Sequence, residues 1–246
     1  MKTSTKLLIA FCAIVVLSVT GFMVMARLMI FSSVTNRKYV EKTIELKLQD
    51  FNGIDVSQAA KVFLIQGDKY NVKITGDQQL LTEVSTEIED SILKIRFPRI
   101  MDNSQFTLEI TAPEFKSIKT AAAVQIETKN ILKGDRLTMD MGTGSSGEFD
   151  LQYNAFKCDA NTGCLLTLKG QATKAALNVN TGSKVNALDF QVKDCKVNGS
   201  TGVEIEISVS DLLSADLSTG STLSYKGNPS IKSVNTSTGS EIKKLF

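Results

Sequence analysis

From residue 139 onward, apolar or small residues occupy every second position, and the pattern restarts at a nearly fixed interval. Thr143-Gly144, Thr162-Gly163, Thr181-Gly182, Thr201-Gly202, Thr219-Gly220 and Thr238-Gly239 are 19, 19, 20, 18 and 19 residues apart. Two positions before each threonine come Met141, Ala160, Val179, Gly199, Leu217 and Thr236. Four before it come Met139, Cys158, Leu177, Val197, Ala215 and Val234. Four after it come Gly147, Leu166, Val185, Ile205, Leu223 and Ile242. A period of two marks strands with one buried face. It holds on both sides of Thr-Gly, so each repeat contains at least two strands joined at that corner. Glycine suits such a corner because it enters positive φ without a steric cost. Strands of seven residues or fewer, recurring about every 19, leave no room for crossover helices. The pattern predicts an all-β right-handed parallel β-helix, a solenoid of coils stacked roughly 4.8 Å apart.

The polar positions repeat too. Three before each threonine lies Asp140, Asp159, Asn178, Asn198, Asp216 or Asn235; one before it lies Gly142, Asn161, Asn180, Ser200, Ser218 or Ser237. In register these make two parallel polar columns on one face, the candidate binding face of the chain. Two readings stand side by side. Such ladders satisfy one another and keep an exposed sheet soluble, or they present a flat repetitive surface to a polymer such as a glycan. Asp140 beside Asp159 offers oxygen ligands to a hard cation, but without the loop-borne company of a calcium site.

The first half is less regular. Phe51 to Ser57, Lys61 to Gln66, Tyr70 to Thr75, Ser91 to Phe97 and Phe106 to Thr111 read as strands, broken at Gly67-Asp68, Gly76-Asp77 and Ala112-Pro113. Asp77 to Glu87 reads as a helical turn that covers an end. Val124 and Ile126 follow Thr120 at the offsets used later, so the regular stack is expected to begin at Thr120. These residues read as wider or capping coils of one structure; two lobes divided near Pro98 to Gln105 are the alternative.

The amino terminus follows different rules. Lys2 and Lys6 precede an apolar run from Leu7 to Ala26, then Arg27 and Leu28 to Phe31. Twenty apolar residues span a bilayer core as a helix, whereas a secretory h-region is usually shorter. The expected domains are therefore a retained signal anchor over 1–31, a tether over 32–43 and a β-helical domain over 44–246. Cleavage at Val24-Met25-Ala26 is the alternative. Cys12 follows Phe11, which argues against a lipoprotein. Lys2 and Lys6 place the N-terminus in the cytoplasm, opposed in part by Arg27, Arg37 and Lys38. The expectation is a single-pass inner-membrane protein with its repeats in the periplasm.

Charge and cysteines remove several classes. Outside the anchor 25 basic residues face 26 acidic ones, a net of −1, which gives no electrostatic case for nucleic acid. Cys158 and Cys195 fall at inward positions on different coils and Cys164 follows a corner glycine, an arrangement of buried free thiols. With no CxxC and no histidine, a zinc site has no ligand set. No cofactor is expected.

Several phrases then carry a resemblance. Phe51-Asn52-Gly53-Ile54-Asp55-Val56, Val62-Phe63-Leu64-Ile65-Gln66-Gly67-Asp68 and Val72-Lys73-Ile74 are similar to the opening of the DUF2807 domain. So are Glu89-Asp90-Ser91-Ile92-Leu93-Lys94-Ile95 and Ile110-Thr111-Ala112-Pro113-Glu114-Phe115-Lys116-Ser117-Ile118. That family is also called the putative auto-transporter adhesin head GIN domain, of bacterial envelope proteins. The resemblance spans about residues 44 to 246 and implies a β-helical fold, export, and a surface or periplasmic role. It supplies no catalytic residues. An anchor in place of a lipobox departs from many relatives.

The function expected is a non-enzymatic, membrane-anchored envelope module that binds a glycan or an envelope protein, or acts as a scaffold. A polysaccharide-acting enzyme is the alternative, because β-helices host lyases and hydrolases. It would need a walled cleft and paired carboxylates, whereas here coil length hardly varies and the turns are short. Asp140, Asp159 and Asp216 would be its acids. Assembly through exposed strand edges is a third reading.

Overall fold

In the computed structural model, residues 18–25, 27, 40–58, 60–98 and 105–246 are described. Two units result: Met1–Val40 with Arg99–Asn103, and Glu41–Pro98 with Ser104–Phe246. In the first, residues 18–25 are helical and exposed. Among the described residues no helix is long and apolar enough to cross a membrane. Most of the expected anchor, and the tether up to residue 39, lie outside the described residues.

The second unit is a β-solenoid of about seven turns. Its strands are β1 (Glu41–Leu46), β2 (Gly53–Gln58), β3 (Ala60–Gln66), β4 (Asn71–Asp77), β5 (Ser85–Glu89), β6 (Ile92–Arg96), β7 (Phe106–Ala112), β8 (Ser117–Ala122) and β9 (Gln125–Thr128). The regular coils follow as β10 (Leu132–Met141), β11 (Ser146–Ala160), β12 (Leu165–Val179), β13 (Lys184–Gly199), β14 (Glu204–Leu217), β15 (Thr222–Lys226), β16 (Ser230–Thr236) and β17 (Glu241–Lys244). β11 to β14 run 14–16 residues each, twice the length expected, because the chain bends between faces with only local breaks in its parallel pairing, as between Ala187 and Gln191. Each coil therefore has three faces. The first holds the residues just before Thr-Gly, the second those just after, and the third the strip between.

The predicted register is observed. Met139, Cys158, Leu177, Val197, Ala215 and Val234 are successive partners, and so are Gly147, Leu166, Val185, Ile205, Leu223 and Ile242. The inward columns are buried as far as Leu223, beyond which the last coil is more exposed. Burying one Leu or Val side chain stabilises by about 1.5–3 kcal/mol, so the stack is held mainly by these columns. Phe156 and Phe190 meet edge to face inside it, their centroids 5.4 Å apart.

At each corner the glycine takes a positive φ, +67° at Gly144 and +69° at Gly163 for example. Ser145 N donates to Gly142 O at 3.1 Å, closing a four-residue turn around Thr143-Gly144. The corner N–H groups bond along the stack: Gly144, Gly163, Gly182, Gly202 and Gly220 each donate to the threonine carbonyl of the next coil. Just past each glycine lies an inward position whose polar members the sequence reading left unassigned: Ser145, Ser183 and Ser221 are buried. Their hydroxyls have partners. Thr120 Oγ1 donates to Ser145 Oγ at 3.1 Å, and Cys164 N donates to Ser183 Oγ at 3.0 Å.

Two expectations for the first half change. The regular stack does not begin at Thr120. β2 and β3 already lie parallel to β8 and β9, and on their other side parallel to β6 and β7. Chain order and spatial order thus differ: the coil of β2 and β3 sits between coils formed later in sequence. The chain escapes outward through antiparallel strands. β4 runs antiparallel to β7 and to β1, and β5 to β6. The β5–β6 turn has Asp90 at φ 51° and Ser91 at φ 61°, the two-residue hairpin geometry with both central residues left-handed. The helical expectation over Asp77 to Glu87 contracts to one turn, Gln78–Leu81, capped by Asp77, whose Oδ1 accepts from Gln79 N at 2.8 Å. Thr86 and Ile88 then resume a period of two in β5. Leu80 and Leu81 are buried on this turn, which packs on β4 and β1. The two-lobe alternative fails, since residues on both sides of 98–105 belong to one unit.

Candidate functional site

The first face carries the polar columns. Asp140, Asp159, Asn178, Asn198, Asp216 and Asn235 are successive partners in the ladder. Asn161, Asn180, Ser200, Ser218 and Ser237 stack beside them, each backbone N–H donating to a carbonyl of the coil before. Most of these side chains are half-buried and spend their hydrogen bonds on one another. Asn161 Nδ2 donates to Asp140 Oδ1 at 3.0 Å, and Asn178 donates to Asp159. Asn198 Nδ2 donates to Asn178 Oδ1 at 2.7 Å, and Ser200 Oγ to Asn180 Oδ1 at 3.2 Å. Toward the C-terminal coils Asp216, Asn235 and Ser237 are exposed, with no side-chain partner among the described residues.

Asp140 and Asp159 answer to cations within the protein. Lys157 Nζ lies 2.8 Å from Asp159 Oδ2, and Lys119 Nζ lies 3.9 Å from Asp140 Oδ2. Burial works to raise the Asp159 carboxyl, but the hydrogen bonds from Asn178 and Lys157 outweigh it and hold the group below the usual carboxylate range. A carboxylate held in its charged form is the opposite of a general acid. Among the described residues no three His, Cys, Asp or Glu converge as metal ligands.

The second face is charged and internally paired. Lys184 bridges Glu204 and Lys129 bridges Glu127, both at 2.7 Å. Phe63 projects outward beneath Lys129 and Lys61, whose nitrogens stand 4.0 and 5.0 Å from its ring centroid. Exposed pairs of this kind contribute little to stability.

The third face was not singled out from the sequence. Gln152, Gln171 and Gln191 are successive ladder partners there, preceded by Lys133. Their signal was available: each lies nine or ten residues after a corner threonine. They border a shallow trough of about 550 Å³ whose floor includes Gly134, Tyr153, Ala172 and Val192. Tyr153 is buried, and its hydroxyl donates to Phe115 O at 2.9 Å.

Burial shields the three described cysteines. Cys158, Cys164 and Cys195 are free and buried, and burial raises all three thiols, that of Cys195 to about 12.

A corner-built β-solenoid with periodic polar faces defines the class of this protein. Residues 50–229 match the family described as "Putative auto-transporter adhesin, head GIN domain" (DUF2807), and the chain belongs to that family. Among solved structures it is similar to a putative adhesin of Bacteroides fragilis, with TM-score 0.78 and 19% identity over 85% of this chain and 98% of that one. A putative adhesin of Parabacteroides distasonis gives TM-score 0.69 and 18% identity, covering 85% and 98%. A protein of the same organism described as a putative lipid binding protein gives 0.64 and 22%, covering 84% and 97%. At these identities the likeness shows the fold. No curated protein matches the sequence.

Proposed function

We propose that this protein is a non-enzymatic cell-envelope module, held to the inner membrane by its N-terminal segment, whose extracytoplasmic solenoid binds or scaffolds in the manner of an adhesin. The observation that carries the reading is translational periodicity. The same corner and the same outward residue types recur coil after coil along one axis, and a surface of that kind complements a ligand that itself repeats. The polar columns of the first face are the contact surface expected from the sequence. Their mutual hydrogen bonds fix the side chains in advance, which lowers the entropy lost on contact. The family and the adhesin-named structures that share this fold support the reading.

Catalysis on a polysaccharide is disfavoured by the state of Asp159, whose partners keep it ionised, and by short corners that build no walls around a substrate.

The test is to screen the full chain against envelope glycans and peptidoglycan fragments, with and without calcium. Asn178→Lys with Asn198→Lys is the comparison. Saturable binding lost in the double variant, while circular dichroism shows the solenoid still folded, supports recognition by the first face. Binding that survives the change removes that face as the contact surface. No binding at all favours a scaffold that contacts another envelope protein.

A further inference from the structure

The first face spends most of its amides internally; the glutamines of the third face do not. Gln152, Gln171 and Gln191 are exposed, and their side chains have no hydrogen-bond partner among the described residues. Each offers two donors and an acceptor, and the parallel register repeats that set at the strand spacing of roughly 4.8 Å. Thr173 and Lys193, also exposed, line the trough beside them. The charges that line the trough are those of Lys133 and Lys193; no carboxylate does. Asp135, nearby, is engaged by Asn154 Nδ2 at 3.0 Å.

Shape and chemistry narrow the occupant. From Lys133 to Gln191 the trough crosses four coils, roughly 15 Å at the usual strand spacing. It is shallow along that length, which suits an extended chain better than a compact molecule. Unpaired amides on three of these four coils match hydroxyl groups, which also both give and accept. The two lysines favour a negative charge among those hydroxyls. A nucleic acid fits less well. The buried Tyr153 offers no stacking face for bases, and no other aromatic side chain lines the trough.

We propose that the third-face trough is a binding site for a linear acidic glycan, a hydroxyl-rich chain bearing carboxylated sugars, with Gln152, Gln171 and Gln191 reading hydroxyls and Lys133 and Lys193 holding the carboxylates. The proposal rests on the reading of the domain as a binding module and adds the ligand class and a second face.

Binding of the full chain to polygalacturonate oligomers is the experiment, measured by calorimetry at two salt concentrations. Dextran serves as the neutral control and a single-stranded oligonucleotide as the polyanion control. The expected result is saturable binding to polygalacturonate alone, weaker at high salt. In Gln171→Glu with Lys193→Glu it falls by about tenfold or more, with unchanged circular dichroism and melting. A second-face variant, Glu148→Gln, keeps full affinity. Equal affinity for the oligonucleotide, or polygalacturonate binding indifferent to the trough variant, overturns the proposal. Binding of another envelope glycan that only the first-face variant abolishes overturns the trough and leaves the binding module standing. Failure of every glycan to bind overturns the trough and leaves only the scaffold reading of the module.

Discussion

Asp159 shows how one carboxylate serves the stack. Its folded pKa lies below the ordinary carboxylate value because Asn178 and Lys157 bond to the charged form against the pull of burial. A group lowered on folding contributes stability that is fully present above its unfolded pKa, near 3.9, and is lost as pH falls through the lower folded value. Acid titration of the melting temperature should therefore steepen below about pH 4 in the wild type. In Asp159→Asn that part of the slope should disappear; an identical acid limb in both proteins would contradict the assignment. The thiols carry the opposite sign. Their pKa values rise on folding, so their contribution is present below the ordinary value of about 8.5 and is lost as pH climbs above it. At pH 8 an alkylating reagent should label Cys158, Cys164 and Cys195 only at the rate of unfolding, with label counted by mass spectrometry. At this scale the sequence was legible wherever side chains simply alternate, as at Leu177 and Asn178. The buried column of Ser145, Ser183 and Ser221 was not, because a serine near glycine reads as exposed turn until its backbone partners are known.

At the scale of the element, the corner decides stability in two ways. Gly182 sits at φ +67°, and a Cβ built there meets nothing within 4 Å. Gly182→Ala thus tests backbone strain by itself, at a cost of about 1–2 kcal/mol. Gly142 is different: a Cβ would come within 1.4 Å of Ala121 O, on the coil before. Gly142→Ala should lower the midpoint of denaturant unfolding more than Gly182→Ala does; the reverse order would contradict the corner geometry. Elements bounded by periodic corners could be read from the chain, and their register was correct to the residue. The antiparallel strands β4 and β5 hid their roles, since alternation predicts a strand but not its partner. Residues 78–81 looked like the start of a longer helix. Only the hairpin at Asp90 and Ser91, which pairs β5 with β6, shows why the following residues are extended.

For the whole molecule, the inward columns act as one cooperative core. Leu177 is fully buried, with Cys158 before it and Val197 after it in the stack. Leu177→Asp should cost several kcal/mol, because the carboxylate gains no partner there. Cooperative melting should be lost at ambient temperature, as followed by circular dichroism. A retained sharp transition would show that coils tolerate local defects independently. The architecture was legible because translation along one axis is the simplest message a repeat can carry. Which polar face is free to make contacts was less so: both the first and third faces repeat polar residues, and only the folded structure reveals whose hydrogen bonds are already spent.

The coil of β2 and β3 is flanked on both sides by strands that lie later in the chain. A chain emerging from its amino end can therefore complete one flank of that coil only once β6 and β7 have emerged, and the other only once β8 and β9, ending at Thr128, have followed. Nucleation at this end requires long loops to close first, a slow step with an entropic barrier. The coils after residue 128 add in sequence order onto a finished surface, each gaining local contacts as it arrives. Assembly should thus be limited by a seed of nearly ninety residues and then proceed like a zipper, so that during synthesis the first half waits unfinished while the second half forms almost as fast as it appears.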